Sequence, residues 1–136
     1  MLAFLPQQQV DDILKSGPRI ALTKQTKTKL SDIMDELERT RRTGIGRSQG
    51  EAIAGVDGFA APVFNAAGVP VAALGVGIPT SELRQPAVMP IETALKRAAQ
   101  KLSRQLGWRA ELVDQLRGPS RERTRPLIGA IHAKQS

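Results

Sequence analysis

The chain has 136 residues, a formal net charge of +7 and no cysteine. This length suits one domain with its own hydrophobic core, and the absence of cysteine excludes a disulfide framework and thiolate zinc sites. No apolar run is long enough to span a membrane, and the apolar start of the chain lacks a basic lead-in, so we expect a cytoplasmic protein.

The charge is unevenly distributed along the chain. Residues 51–83 carry three acidic and no basic side chains, whereas the segments on both sides are basic. A basic surface is typical of proteins that bind polyanions, but no aromatic residues interleave with these charges to stack on bases. A solvated helix face with a loose tail is the favoured interpretation, and direct nucleic-acid binding is kept as an alternative.

Two helices are predicted in the first third of the chain. Pro6 begins a short helix that Gly17 ends. Apolar residues at helical spacing follow a possible cap at Thr28, and Gly44 stands where a C-terminal cap is expected. We therefore predict a second helix between Thr28 and Gly44.

Strands are predicted next, because residues 45–79 are rich in Gly, Ala and Val. We place them at residues 45–49, 58–64 and 69–78. The intervening Asn-Ala-Ala-Gly, residues 65–68, is typical of a type I turn and predicts a hairpin.

A long helix is predicted from Pro90 to Gly107, a short one over residues 109–117, and a flexible tail beyond. The order of elements indicates an α+β fold with an antiparallel sheet. Three strands alone leave open edges, which suggests that strands are missing.

Catalytic and metal-binding arrangements are hard to build from these residues. The single histidine, His132, lies in the tail, so no Ser-His-Asp or Cys-His arrangement is credible. The two acidic clusters, Asp11-Asp12 and residues 32–36, lie on polar helix faces. We predict a protein that is not an enzyme and uses neither a cofactor nor a metal.

The third predicted strand has two unlike faces. Pro70, Ala72, Leu74, Val76 and Ile78 form a bulky face that suits packing under helices. The opposite face shrinks to Gly75 and Gly77, and glycine inside a strand often marks the close approach of a ligand or another backbone. These glycines either form the floor of a pocket or allow tight packing, and composition alone does not distinguish these two interpretations.

Several spaced motifs point to one family. Gly44, Ser48, Glu51, Gly55-Val56 and Ala-Ala-Pro-Val-Phe-Asn at 60–65 occur in this order, followed by Gly68 to Pro79. This pattern resembles the effector-binding domain of the IclR family of transcription regulators. The opening Met1–Pro6, the connection Thr23–Thr28 and Leu106-Gly107 fit as well, so the resemblance covers residues 1–107 and leaves 108–136 as a basic extension.

The resemblance implies a GAF-like antiparallel sheet flanked by helices, here without its first strands and without the helix-turn-helix that binds DNA. It implies a small organic effector, an acid or an aromatic compound, and assembly with itself or a related regulator as a dimer or tetramer. The ligand-binding positions it implies are Gly58, Ala60, Gly75 and Gly77. Family members often carry a small polar side chain at these points, so glycine suits a bulkier or more apolar ligand.

The sequence therefore predicts the effector-sensing and oligomerisation portion of a bacterial transcription regulator, with no membrane partner. The alternatives are a truncated interaction module that pairs with a full-length relative, through the long helix or an open sheet edge, and a gene fragment without function. Glu51 has no predicted role beyond hydrogen bonding to loop amides.

Overall fold

A computed structural model of the protein describes residues 1–109. A short 3₁₀ helix at Leu2–Phe4 precedes three helices and three strands, which are α1 (Gln7–Lys15), α2 (Leu30–Thr43), β1 (Gly46–Gln49), β2 (Val56–Phe64), β3 (Pro70–Pro79) and α3 (Gln85–Gln105). The predicted α+β class is confirmed. None of the described helices is long and apolar enough to cross a membrane.

The strands form one antiparallel sheet in the order β1-β2-β3. The predicted hairpin between β2 and β3 is confirmed. The Gly68 N–H donates to the Asn65 carbonyl at 2.9 Å, and Gly68 has a left-handed backbone conformation with a φ of 73°. The Asn65 side chain strengthens this turn by accepting from the amides of Ala67 and Val69, each at 3.0 Å. The turn fixes the register that aligns the two strands.

The outer edge of β3 has no strand partner within residues 1–109. The Thr80 N–H donates to the Gly55 carbonyl at 2.8 Å, next to the pair Val56 and Pro79. Because bonded and non-bonded pairs alternate in an antiparallel ladder, the amides of Ala73, Gly75 and Gly77 point away from β2. The sheet ladder therefore leaves these three amides unused.

One face of the sheet packs against α3. Alternate residues of β2 are buried, as expected for a strand that is covered on one face. The core contains Ile45, Phe59, Ala61, Val63, Val88, Leu95 and Ala99. This aliphatic core provides the rigid support on which the opposite face of the sheet is held.

The N-terminal helices form a second apolar cluster. Ala3, Val10 and Leu37 are buried there, and Val10 is completely inaccessible. The Arg41 Nε donates to the Ala3 carbonyl at 2.5 Å and so ties α2 to the start of the chain. The cluster fixes α2 over the end of the sheet.

Two predicted helix starts are wrong. The long helix begins at Gln85 and contains Pro90, which was predicted to start it. The earlier start buries Val88 in the core, and Pro86 suits the first helical turn because amides there need no helical partner. At α2 the N-cap is Lys29 without a side-chain cap bond, so Thr28 does not cap this helix.

The predicted bulky face of β3 is only partly covered. Leu74 and Ile78 pack against the core, whereas Val76 is 41% exposed. The reason is that α3 makes its main contact with β2 and reaches β3 only at its margin. The predicted short helix at 109–117 and the basic extension, including His132, lie outside the described residues apart from Trp108 and Arg109.

Ser103 connects α3 to β2 at a point that β1 does not reach. Its hydroxyl donates to the Ala99 carbonyl at 2.8 Å and accepts from the Phe64 amide at 2.9 Å, and the residue is 1% exposed. We expect Ser103→Ala to lower the free energy of unfolding by about 1–3 kcal/mol, because the Phe64 amide loses its acceptor. Urea denaturation measures this, with the exposed Ser31→Ala as control; equal midpoints for both variants would contradict it.

Candidate functional site

A cavity of about 510 Å³ lies on the face of the sheet opposite α3. All four predicted ligand positions, Gly58, Ala60, Gly75 and Gly77, line it. The structure therefore brings together residues from two strands, of which Gly58 and Gly77 are 19 positions apart in the sequence. Its volume lies within the range of small-molecule sites, about 300–1,000 Å³.

Strand register explains why the cavity exists. Gly46 pairs with Ala60, which pairs with Gly75, and a second row across the sheet contains Ser48, Gly58 and Gly77. Paired residues of neighbouring strands project on the same face, so these two rows form one floor. No side chain on this floor is larger than serine, and α2 therefore stands above an unfilled space.

The glycines of the floor differ in what they allow. A Cβ at Gly75 would lie 3.2 Å from the Phe59 carbonyl oxygen, a backbone atom that cannot move easily. A Cβ at Gly58 would be 3.6 Å from the Ser48 Cβ, which is ordinary contact, and one at Gly77 would be 3.4 Å from the Val56 Cγ1. Tight packing thus explains Gly75, whereas Gly58 and Gly77 leave space that a side chain could have filled.

The walls come from α2 and the start of the chain. Leu37 and Thr40 of α2 face the floor together with Leu2 and Ala3. Glu36 also lines the cavity, and the Arg39 hydrogen bond to its carboxylate lowers the pKa of Glu36 below its usual 4.5. Glu36 therefore stays ionised at neutral pH, and its charge is paired with that of Arg39.

Sequence reasoning missed the wall residues of the cavity. Leu37 was recognised only as part of an apolar stripe, and Glu36 only as part of a solvated acidic cluster. The sequence does show that these residues belong to the helix before β1. It does not show that this helix, α2, packs with them against the floor. Within residues 1–109, no group of three His, Cys, Asp or Glu side chains is arranged to hold a metal ion.

A family profile described as "Bacterial transcriptional regulator IclR C-terminal" matches residues 1–104. The chain belongs to this family. It is a family of transcription regulators and not of enzymes, in agreement with the sequence-based expectation.

Individual IclR relatives support the assignment. The chain is 29% identical over 108 residues to the HTH-type transcriptional regulator KdgR of Escherichia coli, with 79% of this chain and 41% of KdgR covered. The crystal structure of the KdgR C-terminal domain matches with a TM-score of 0.74 at 29% identity, covering 79% of this chain and 65% of that one. The chain therefore spans less than half the length of the KdgR regulator.

Two further solved structures share the fold. An IclR transcriptional regulator from Silicibacter is 33% identical with a TM-score of 0.75, covering 79% of this chain and 42% of that chain. A double mutant of the PobR inducer-binding domain from Acinetobacter was solved in complex with 3-hydroxybenzoic acid. It is 24% identical with a TM-score of 0.69, covering 75% of this chain and 59% of that chain.

Glu51, the acidic residue of the IclR-like motif, does not line the cavity. Its carboxylate accepts from the Lys27 backbone amide at 3.4 Å and pairs with the Lys27 ammonium group. The hydroxyls of Thr23 and Thr26 donate to carbonyls of Gly50 and Glu51. The predicted structural role is confirmed, since Glu51 fastens the loop after β1 to the Thr23–Thr28 connection.

An ion pair links the sheet to α3 on the core side. The Arg47 Nε donates to the Glu92 carboxylate at 2.5 Å, and this hydrogen bond is the main cause that lowers the pKa of Glu92 below its usual 4.5. A carboxyl with a depressed folded pKa stabilises the fold above its unfolded pKa, and this contribution is lost as pH falls through the folded pKa.

We therefore expect the free energy of unfolding to decrease below about pH 4.5. Glu92→Gln should weaken this dependence, with a stability loss at neutral pH on the order of 1 kcal/mol or less, because Arg47 is 40% exposed. Denaturation midpoints between pH 3 and 7 measure the effect. Glu38→Gln, at a 73% exposed side chain, is the control, and identical pH profiles for both variants would contradict the expectation.

Proposed function

We propose that the cavity above Gly58, Ala60, Gly75 and Gly77 binds a small organic effector, as the sensing portion of a transcription regulator. The observation that carries this proposal is the floor of two cross-strand rows without any large side chain, beneath a helix that is held in position independently. The floor is open to solvent at Gly75 and Gly77, which gives a ligand access to the cavity.

The effector that suits this cavity has an apolar body and hydrogen-bond acceptors, without a strong negative charge. Leu2 and Leu37 offer apolar contact, and the carboxylate of Glu36 is already paired with Arg39. The guanidinium of Arg47, the basic side chain of the lining, is already bound to Glu92. The outward amides of Gly75 and Gly77 supply donors at the border of the cavity.

The proposal of a small organic effector is supported by the PobR inducer-binding domain, which has a similar fold. Its complex with 3-hydroxybenzoic acid is the precedent for a small aromatic ligand in a domain of this architecture. In this chain, glycine at 58, 75 and 77 removes side-chain donors and enlarges the space. An aromatic amide, ester or phenol therefore fits better than the corresponding acid.

Effector binding would act by shifting an oligomer of the complete regulator between DNA-binding states. A ligand changes such an equilibrium only by as much as its affinity differs between the two states. The proposal includes assembly with itself or a related regulator, DNA contact through a helix-turn-helix outside this chain, and a cytoplasmic location. The boundary of the effector domain at residue 107 stays a prediction.

The test is thermal unfolding of the complete protein with a panel of matched aromatic acids, amides, esters and phenols. A ligand at 100 times its Kd should stabilise the folded state by roughly 2.7 kcal/mol and raise the Tm accordingly. Shifts caused by the neutral members should be lost in Gly58→Leu, which fills this cavity, and the Gly58-dependent part of the shift should be larger for neutral members than for their acids. Unchanged melting temperatures across the panel would refute effector binding, and a larger Gly58-dependent shift for the acids would refute the assigned effector chemistry.

The second candidate is an interaction module that pairs with a related regulator. The outer edge of β3, which has no strand partner in the described part of the chain, favours it, since such an edge is a template for strand addition. Co-expression with a tagged full-length relative tests this function. Co-purification that is lost on substituting Ala73 with proline, which removes one outward amide, would support it, whereas a strictly monomeric chain would refute it.

A further inference from the structure

A second cavity, of about 520 Å³, lies where β1 has ended and β2 continues alone. The C-terminal end of α2 forms one wall, α3 forms another, and Ala61, Pro62 and Phe64 of β2 form the floor. It shares no lining residue with the cavity of the proposed function. The two spaces are therefore separate features of the molecule.

Among residues 1–109, four cationic side chains and no carboxylate line the second cavity. Arg41 and Arg42 come from α2, and Lys96 and Arg97 come from α3. The Lys96 ammonium donates to the Thr43 carbonyl at 3.3 Å, which holds this charge in the cavity. Within residues 1–109, Arg42 and Arg97 are exposed and make no ion pair, so their charges are available to a ligand.

An aromatic cluster closes one end of this cavity. The rings of Phe4 and Phe64 meet edge to face with centroids 5.5 Å apart, and the rings of Phe64 and Trp108 stack at 5.7 Å. All three residues line the cavity. These aromatic residues do not interleave with the basic ones along the sequence, and folding brings the two groups together from distant positions of the chain.

The backbone of the floor offers few free hydrogen-bond donors to a ligand. Pro62 has no amide hydrogen, and the Phe64 amide is bound to the Ser103 hydroxyl. Recognition must therefore come mainly from Arg42 and Arg97, since Arg41 is bound to the Ala3 carbonyl and paired with Glu38, and from the aromatic end. Together these groups match a molecule with an anionic head and an apolar or aromatic body, since aromatic rings contact the body while arginines bind the head.

We infer that this second cavity is a binding site for a small organic anion with an aromatic body, such as an arylalkyl carboxylate. It goes beyond the proposed effector cavity, which has the opposite charge preference. The concave shape and the volume suit a small molecule, since such sites measure about 300–1,000 Å³. A ligand here would contact both α2 and α3, the helices on opposite faces of the sheet.

The protein carries its own reporter for this site. Trp108 is the single tryptophan of the chain and lines the second cavity but not the first. We would titrate the full chain with phenylacetate, with its neutral analogue phenylacetamide and with inorganic phosphate, following tryptophan fluorescence. Phenylacetate should bind at least tenfold more tightly than either comparison compound, and its affinity should fall with added salt.

Matched variants localise the binding. Arg42→Gln combined with Arg97→Gln should weaken phenylacetate binding at least tenfold, whereas Lys101→Gln combined with Arg104→Gln, two exposed cations of α3 outside the lining, should leave it unchanged. Gly58→Leu, which fills the first cavity, should also leave it unchanged. Circular dichroism and Tm confirm that each variant is folded.

Three results would overturn the inference. Equal affinity for phenylacetamide would remove the requirement for an anion, and equal affinity for phosphate would remove the requirement for an aromatic body. Binding that survives the Arg42 and Arg97 double substitution, or that disappears in Gly58→Leu, would assign the ligand to another part of the molecule. The Gly58→Leu variant distinguishes these outcomes from failure of the proposed function, because it fills only the first cavity.

Discussion

Substitution of Gly58 by leucine is expected to abolish effector binding in the first cavity while the fold survives. A Cβ at Gly58 finds 3.6 Å to the nearest heavy atom, the Ser48 Cβ, so the sheet accepts the new residue. The remaining three carbons of leucine then extend into the middle of the floor. We expect affinity to fall at least 100-fold, which removes at least about 2.3 of the roughly 2.7 kcal/mol of ligand stabilisation at a concentration of 100 times the original Kd.

The control for this prediction is Ala72→Leu. Ala72 is exposed and pairs with Val63, on the sheet face opposite the first cavity, so it adds bulk to the same hairpin without narrowing the site. Ligand-induced Tm shifts are compared for both variants and the original protein. A full shift retained in Gly58→Leu, or lost equally in Ala72→Leu, would contradict the assigned position of the site.

Substitution of Ile45 by alanine is expected to cost about 2–5 kcal/mol of unfolding free energy. Ile45 is 1% exposed and is one of the largest fully buried side chains. Ile45 directly follows the Gly44 cap of α2, and its side chain packs in the core between β2 and α3. Truncation to alanine therefore leaves a cavity that the neighbouring elements cannot easily fill. A domain of this size has only about 5–15 kcal/mol in total, so partial unfolding at 37 °C is expected.

Ile53→Ala is the matched control for the core substitution. The same atoms are removed from a side chain that is 65% exposed in the loop before β2, where the expected effect is within about 0.5 kcal/mol. Guanidinium denaturation midpoints compare the two variants. Similar midpoints would show that Ile45 does not contribute to a packed core.

Local patterns were sufficient to predict the hairpin. Asn65 and Gly68 have side-chain and backbone properties that specify a tight turn without help from the rest of the chain. The start of α3 could not be predicted in this way, because Pro90 is an ordinary helix-start signal. Burial of Val88, a tertiary effect, extends the helix beyond it.

The ligand-binding floor was predictable because small residues on paired strands remain in register once the hairpin is fixed. Gly58 and Gly77 are partners across β2 and β3, and this pairing follows from the turn. The walls were not predictable, since the contact of Leu37 with that floor depends on how α2 crosses the sheet. The second cavity was missed for the same reason, because Trp108 reaches Phe64 only through the folding of α3 onto β2.

The outer edge of β3, which has no strand partner among residues 1–109, also has a consequence for handling the protein. No charged side chain lies between Asp57 and Glu82, so nothing on this strand repels the same strand of another molecule. Amides of Ala73, Gly75 and Gly77 are oriented to continue the ladder outward. Concentrated samples should therefore develop intermolecular β-sheet over time, although the net charge of +7 favours dispersion at low salt.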